Sequence, residues 1–535
     1  MFVRCVQNGA WKWYLTPLVI FLAAFFVRYH FLITFDYAMM VHEQDAVGYI
    51  AVAKQLLHWQ PVTVTGRPPG YPFIIALFAL LPVGMEFAAR LASIFMDALI
   101  TLPLYALAYR LLPPVGAAAA ALLWAFFGFA LAFSTSPLTQ STFLFFLLAA
   151  ILLLTRSVSM ESSRLPLMVG VCIGYAYLTR PEGIVVILFV APLVATVRLA
   201  QNRKAYRRIL KDLVLLGLGF MVLVGPFLTA YRYQAGHWAL TNKSAAAVKT
   251  QDGVVTLNAR GELAASPEGL ALWKEYYGTF SAFVTASGTN AIQFARAYLQ
   301  VVPLWAHLLA LSGLLALLWQ RRFIELVCLT PLLAVTLPNY IVNISKSNSY
   351  NYPLFPLLFI GVAAGCEALR RLVLKVVPGE PGRILVAFSY LVVVSPVAVL
   401  SFLGYIEADA TYRSPGLVQQ AELSDKIFRG AGDVIKSYSR PGEVIMTRWG
   451  LIGYFADRPV VTLPKGQVAD VVNYGRKHNV SFLIIDTMSV FTRREELEEL
   501  LDPLYGKPLR PDYGLELLAT INHDVGGCVI YRYVR

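Results

Sequence analysis

The chain has 535 residues, is 57% hydrophobic and only 14% charged, and has a mean hydropathy of +0.60. A soluble globular protein carries about a quarter of its residues as charged side chains, so this composition excludes that class and points to the bilayer. The net charge of +13 does not point to nucleic acid, because the basic residues stand in short clusters between apolar runs, without a basic stripe of interleaved aromatics.

Apolar runs of about 18–24 residues recur through the first 405 positions, enough to cross a hydrocarbon core of roughly 30 Å as helices and too long for membrane strands. In chain order the predicted spans are Tyr14–Thr34, Ala88–Leu111, Val115–Ser134, Leu138–Leu154, Leu165–Thr179, Ile184–Val197, Leu210–Tyr231, Ala297–Trp319, Phe323–Val342, Tyr350–Leu369 and Ile384–Ile406. The expected architecture is therefore an α-helical polytopic membrane protein with about 11 transmembrane helices. The first run is too long for a cleaved leader and no small-residue cleavage site follows it, so it reads as a retained span. The five cysteines have neither metal nor redox spacing.

Alternating the spans from an inside N-terminus puts Arg110, Arg156, Arg164, Arg198, Arg203, Lys204, Arg207, Arg208, Lys211, Arg321, Arg322, Arg370, Arg371, Lys375 and Arg383 on one side. That bias marks the cytoplasmic face. The chain is then expected in the cell inner (plasma) membrane, with outer loops at 35–87 and 232–296 inside a membrane domain 1–406. Residues 407–535 form a second, extracytoplasmic domain. There charges become frequent, and four short strands, Val444–Thr447, Val460–Leu463, Phe482–Ile485 and Cys528–Tyr531, alternate with helices near 423–438, 466–477 and 494–502. This is the pattern of a small α/β domain.

The first outer loop carries the chemistry-bearing residues. After Glu43 and Asp45, apolar positions 49, 52, 53, 56 and 57 follow helical spacing in a helix too short to span, which should lie along the membrane surface. Asp45, just before it, has the bland reading of an N-cap. Arg67-Pro68-Pro69-Gly70-Tyr71-Pro72 follows and enters an apolar stretch, Phe73–Val83, too short and Pro-flanked to cross. Arg67 is either a solvated loop arginine or a phosphate ligand, since a guanidinium forks onto phosphate. Arg180, in Leu178-Thr179-Arg180-Pro181-Glu182-Gly183, breaks the positive-inside pattern; snorkelling to headgroups is its bland reading. Asp97 lies within a span, where a polar neighbour would pair with it.

Together Asp45-x-x-x-Tyr49 with Ala53, Arg67-Pro68-Pro69-x-Tyr71-Pro72, Leu178 to Gly183, Gly225 to Gly236 and Tyr350-x-x-Pro353-x-x-Pro356 resemble the GT-C glycosyltransferases that use polyprenyl-phosphate sugars. That group includes protein O-mannosyltransferases and the aminoarabinose transferase of lipid A. The resemblance covers most of residues 14–405 and rests on the order and common sidedness of motifs that are individually weak. It implies Asp45 as the base that activates the acceptor, Arg67 and Arg180 at the donor phosphate, and Tyr49, Tyr71, Glu182, Tyr350 and Glu43 as substrate-binding candidates. The partners implied are a polyprenyl-phosphate-linked sugar donor and a lipid, polysaccharide or protein acceptor. Ala46 stands where many relatives carry a second acid, Gln140 where many carry a glutamate, and Ser349 where an arginine often precedes the late tyrosine. These departures leave divalent-cation use and the acceptor class open.

One carboxylate base with basic residues at the outer surface suits transfer from a lipid phosphate, because the leaving group develops negative charge and the acceptor must lose a proton. A single displacement predicts inversion at the sugar carbon. Two competing classes are a transporter or flippase of a lipid-linked substrate, which would carry ionisable groups at mid-membrane, and a membrane-anchored binding protein working through its outer domain.

Overall fold

The computed structural model describes residues 11–35, 44–62, 67–159, 164–202, 206–236, 238, 240, 278–342, 348–376, 383–509, 513–524 and 526–534. The chain divides into two compact units, one of Met1–Phe35, Tyr49–Asn242 and Val284–Thr411, the other built on Tyr412–Arg535 and taking in Asp36–Gly48 and Lys243–Phe283.

Among the described residues the first unit is all helix. Its first half runs α1 (Trp11–Thr34), α2 (Gln44–Leu57), α3 (Gly70–Phe78), α4 (Met85–Leu99), α5 (Thr101–Leu111), α6 (Pro114–Ala125), α7 (Gly128–Ser134), α8 (Gln140–Ser159), α9 (Arg164–Thr179), α10 (Gly183–Gln201) and α11 (Tyr206–Ala235). Its second half runs α12 (Phe280–Val301), α13 (Leu304–Trp319), α14 (Phe323–Leu329), α15 (Pro331–Ala334), α16 (Leu337–Val342), α17 (Phe355–Val376), α18 (Arg383–Ser389) and α19 (Leu391–Tyr412). Six described helices are long and apolar enough to cross a membrane, and eight if each of two bent pairs is one span. The chain is a multi-pass membrane protein.

Three expected spans are broken: Val115–Ser134 parts into α6 and α7, bent by 49°, and two others break beside prolines. Ala297–Trp319 is broken at Val302-Pro303, where α12 and α13 meet at 100°. Proline lacks the N–H that would continue the ladder and drives the residue before it out of the helical region. Phe323–Val342 breaks into α14, α15 and α16, with Pro331 opening the second piece and Pro338 lying in the third. Helix α9, at 16 residues, reaches only about 24 Å. It packs instead along α11 at very close range: a Cβ added at Gly170 would stand 2.1 Å from the Leu216 carbonyl oxygen, and one at Gly219 2.1 Å from that of Leu167. Small residues let membrane helices approach this closely, which replaces the hydrophobic drive that lipid does not supply. Trp59, Tyr233 and Trp319, at helix ends, are 95%, 91% and 90% exposed, the placement of interfacial aromatic belts.

The second unit holds a five-stranded sheet in the order β2-β1-β3-β5-β4, with β1 (Val444–Thr447), β2 (Val460–Thr462), β3 (Val480–Asp486), β4 (Leu515–His523) and β5 (Gly526–Tyr533). Strands β1, β2 and β3 are parallel, and β5 and β4 add antiparallel. The four-strand reading missed β4, an edge strand with a largely exposed, weakly alternating surface. Strand β3 is buried throughout and reads as a continuous apolar run, as a central strand does.

Candidate active site

The Arg67 arm is positioned by its own sequence. Pro68 and Pro69 lead into α3, which Gly70 opens, and Pro69 already has helical backbone angles as the residue before it. Tyr71 is fully buried; its hydroxyl donates to the Ala89 carbonyl at 3.2 Å and is hydrogen-bonded to Ser93 Oγ at 2.5 Å, tying the arm to α4. Gly70 is the contact that matters for the site. A Cβ there would lie 2.7 Å from the carbonyl carbon and oxygen of Leu178 and 2.9 Å from the Thr179 nitrogen. The Tyr175 hydroxyl donates to the Gly70 carbonyl at 2.8 Å from the same helix end. The arm therefore lies backbone to backbone against the last turn of α9, whose next residue is Arg180.

This contact yields an expected outcome. Gly70→Ala places a methyl group against backbone, which cannot swing aside as a side chain can. Overpacking of this kind costs about 1–3 kcal/mol. Thermal unfolding of the purified variant in detergent measures it; an unchanged midpoint would show that the arm is not held against α9.

Arg180 occupies the turn between α9 and α10, and its residue surface is 9% exposed. Its Nη2 donates to Glu182 Oε1 at 2.9 Å. Its guanidinium carbon lies 5.3 Å from the Tyr350 ring centre and 6.0 Å from that of Phe143. Burial works against the charge, but Glu182, by charge and hydrogen bond, and then Tyr350 and Tyr49 outweigh it and hold the pKa above the ordinary arginine value. The guanidinium is thus a fixed positive charge in a site largely shielded from water, where its field is least screened. It faces a small pocket, partly open to solvent, whose lining includes Gln140, Glu182, Ser349, Tyr350 and Tyr352. Gln140 Oε1 is buried there without a hydrogen-bond partner among the described residues.

On the other side of this cluster the Arg67 guanidinium carbon sits 5.1 Å from the Tyr49 ring centre, and the Tyr49 and Tyr71 rings meet edge to face at 5.4 Å. Six of the sequence candidates, Tyr49, Arg67, Tyr71, Arg180, Glu182 and Tyr350, are therefore neighbours. Asp45 stands in the first turn of α2 with an exposed side chain, in the second unit. Glu43 lies outside the described residues. Among the described residues no group of three or more His, Cys, Asp or Glu side chains is placed to hold a metal ion.

Sequence reasoning missed the pocket residues Phe143 and Tyr352, and it missed Arg28. Arg28 is buried in α1, and its Nη2 lies 2.6 Å from Asp97 Oδ1. Asp97 Oδ2 accepts from Ser141 Oγ at 2.8 Å and from the Tyr352 hydroxyl. The signal was present: an arginine and an aspartate each inside an apolar run, the arrangement expected to pair in a membrane.

The comparisons agree with this architecture. Residues 66–228 match the family model described as dolichyl-phosphate-mannose-protein mannosyltransferase, a stretch that holds both arginines of the cluster. No curated protein matches the chain by sequence. Among solved structures the chain is similar to ArnT from Cupriavidus metallidurans in the apo state, at 13% identity and TM-score 0.54, over 98% of each chain. The same protein bound to undecaprenyl phosphate gives TM-score 0.52 at 13% identity, over 97% of this chain and 98% of that one. The archaeal oligosaccharyltransferase AglB from Archaeoglobus fulgidus, in complex with an inhibitory peptide and a dolichol-phosphate, gives 0.54 at 14% identity, over 89% of this chain and 70% of that one. With its helical membrane part, its small C-terminal sheet and the family match over residues 66–228, this chain has the GT-C fold.

Proposed function

We propose that the chain transfers a sugar from a polyprenyl-phosphate donor to an envelope acceptor (lipid, glycan or protein) on the extracytoplasmic side of the plasma membrane. The observation that carries this reading is Arg180: a buried, permanently charged guanidinium in an aromatic-walled pocket, brought beside the Arg67 arm by the Gly70 contact. Lipid phosphates in the ArnT and AglB structures support a lipid-phosphate donor here. The lysine and arginine bias of the loops supports the outer location.

In the proposed step the acceptor O–H or N–H attacks the anomeric carbon and its proton passes to the Asp45 carboxylate. The carbon–oxygen bond to phosphate breaks, and the polyprenyl phosphate leaves with the bonding pair. Arg67 and Arg180 stabilise the charge that develops on that phosphate. Attack opposite the leaving group inverts the sugar carbon. Were a divalent cation to assist, Glu43 would be the nearest second carboxylate in sequence. The transport alternative draws on Asp97, a charge inside a span. That carboxylate is saturated by Arg28, Ser141 and Tyr352, which makes it a poor carrier site.

The test is reconstitution of purified protein with polyprenyl-phosphate sugars and an envelope lipid extract. Release of polyprenyl phosphate coupled to appearance of a glycosylated acceptor is the expected result. A protein that binds no polyprenyl phosphate and transfers no sugar across a panel of hexose and pentose donors would overturn it.

A further inference from the structure

The Arg28–Asp97 pair is more elaborate than a structural tie between spans requires. Arg28 Nε donates to Asp97 Oδ1 at 2.8 Å, Nη1 donates to the carbonyls of Ala24 at 3.0 Å and Ala125 at 2.8 Å, and Nη2 donates to that of Trp124 at 3.3 Å. Trp124 Nε1 in turn donates to the Asp97 carbonyl at 3.1 Å. Both charged side chains have no exposed surface. The arginine is thereby used up on the protein interior, and it holds Asp97 in one orientation with Oδ2 left for other donors. Those donors are Ser141 and Tyr352.

Tyr352 lines the Arg180 pocket. It belongs to the turn Tyr352–Leu354, which Asn351 alone separates from Asn348–Tyr350, so the residue whose ring lies over Arg180 is two positions away. The stretch is pinned at a second point, where Asn351 Nδ2 donates to the Phe294 carbonyl at 3.3 Å and the Tyr340 hydroxyl donates to Asn351 Oδ1 at 3.0 Å. The Tyr352 ring packs separately against Trp124, at 5.2 Å between ring centres, and against Phe133 at 5.9 Å.

We propose that Asp97, oriented by Arg28, is a positioning residue: through the Tyr352 hydroxyl it sets the turn that lays Tyr350 over the Arg180 guanidinium, and so tunes the site for a lipid phosphate. This rests on the donor-phosphate reading of Arg180. A buried ion pair alone is weak evidence of stabilisation, because desolvation offsets much of the attraction. Its remaining acceptor, Asp97 Oδ2, takes a hydrogen bond from Tyr352, which lines the pocket, and that gives the pair a task there.

Tyr352→Phe isolates the link, since it keeps the ring contacts and the Arg28–Asp97 pair and removes only the hydroxyl. The probe is undecaprenyl phosphate in detergent, titrated by thermophoresis against full-length protein, with thermal unfolding and sugar transfer on the same samples. Tyr352→Phe should weaken binding about tenfold, the effect of losing one hydrogen bond to a charged group, and lower Tm by no more than about 4 °C. Asp97→Asn, a weaker acceptor, should weaken binding in the same direction; if it does not fold, Tyr352→Phe decides alone. A purely structural pair predicts the same change in Tm with unchanged affinity and KM. Wild-type affinity and transfer in Tyr352→Phe would overturn the positioning role while leaving the function intact. A wild-type protein that binds no undecaprenyl phosphate would instead sink the donor-phosphate reading, and this inference with it.

Discussion

Arg180→Ala should lower sugar transfer at saturating donor by about 10²–10³, the effect of deleting a preorganised group that meets charge only in the transition state. The expected size follows from where the guanidinium sits. It is nearly buried, paired with Glu182 at 2.9 Å and flanked by Tyr350 and Phe143, so it needs no reorganisation when the phosphate departs. Its pKa lies above the ordinary arginine value, so the loss should be the same across the working pH range. Lysine at this position should recover only part of the rate, because a point charge cannot reproduce the planar fork.

Stability complicates the alanine variant. Removing one partner of a nearly buried pair leaves the other charge uncompensated, and the Glu182 side chain is only 14% exposed. Arg180→Ala with Glu182→Gln removes that charge and should regain thermal stability without regaining transfer. Steady-state rates and unfolding midpoints on both variants separate the two effects. Full turnover in Arg180→Ala would show that Arg180 does not stabilise the leaving group.

Asp45→Asn is the second variant with a large expected effect, a fall in transfer of about 10²–10⁴. Asparagine keeps the shape and polarity of this exposed side chain in the first turn of α2, so the helix should persist and the midpoint of unfolding should hold. It cannot take a proton at neutral pH, so only the chemical step suffers and donor affinity stays. Normal transfer by the asparagine variant would show that Asp45 is not the base and move attention to Glu43.

The polytopic character and the helical class were legible in the sequence, because the bilayer leaves each apolar run no alternative to satisfying its own backbone as a helix. Arg180 was legible as an anomaly, since a charge that defies the loop bias needs a local reason, and the structure supplies one in Glu182 and the aromatic pocket. The parallel core of the second unit was legible because β3 is buried on both faces and therefore apolar throughout. Edge strand β4 was not, because an exposed face does not force alternation. The breaks at Pro303 and Pro331 were written in the chain as prolines within apolar runs, yet apolar length alone reads through them.

Residues far apart in the chain met only through the tertiary structure. Gly70 and Leu178, or Arg28, Asp97 and Tyr352, carry nothing in their local sequence that names the partner. What joins them is the demand of a close-packed interior. A backbone can lie against another only where a Cβ is missing, and a charge can stay in the membrane only where every donor and acceptor around it is met. The sequence by itself thus determined that this chain lives in the bilayer and which side chains are costly to keep there; which of them stand together, and over which pocket, was decided by helix packing.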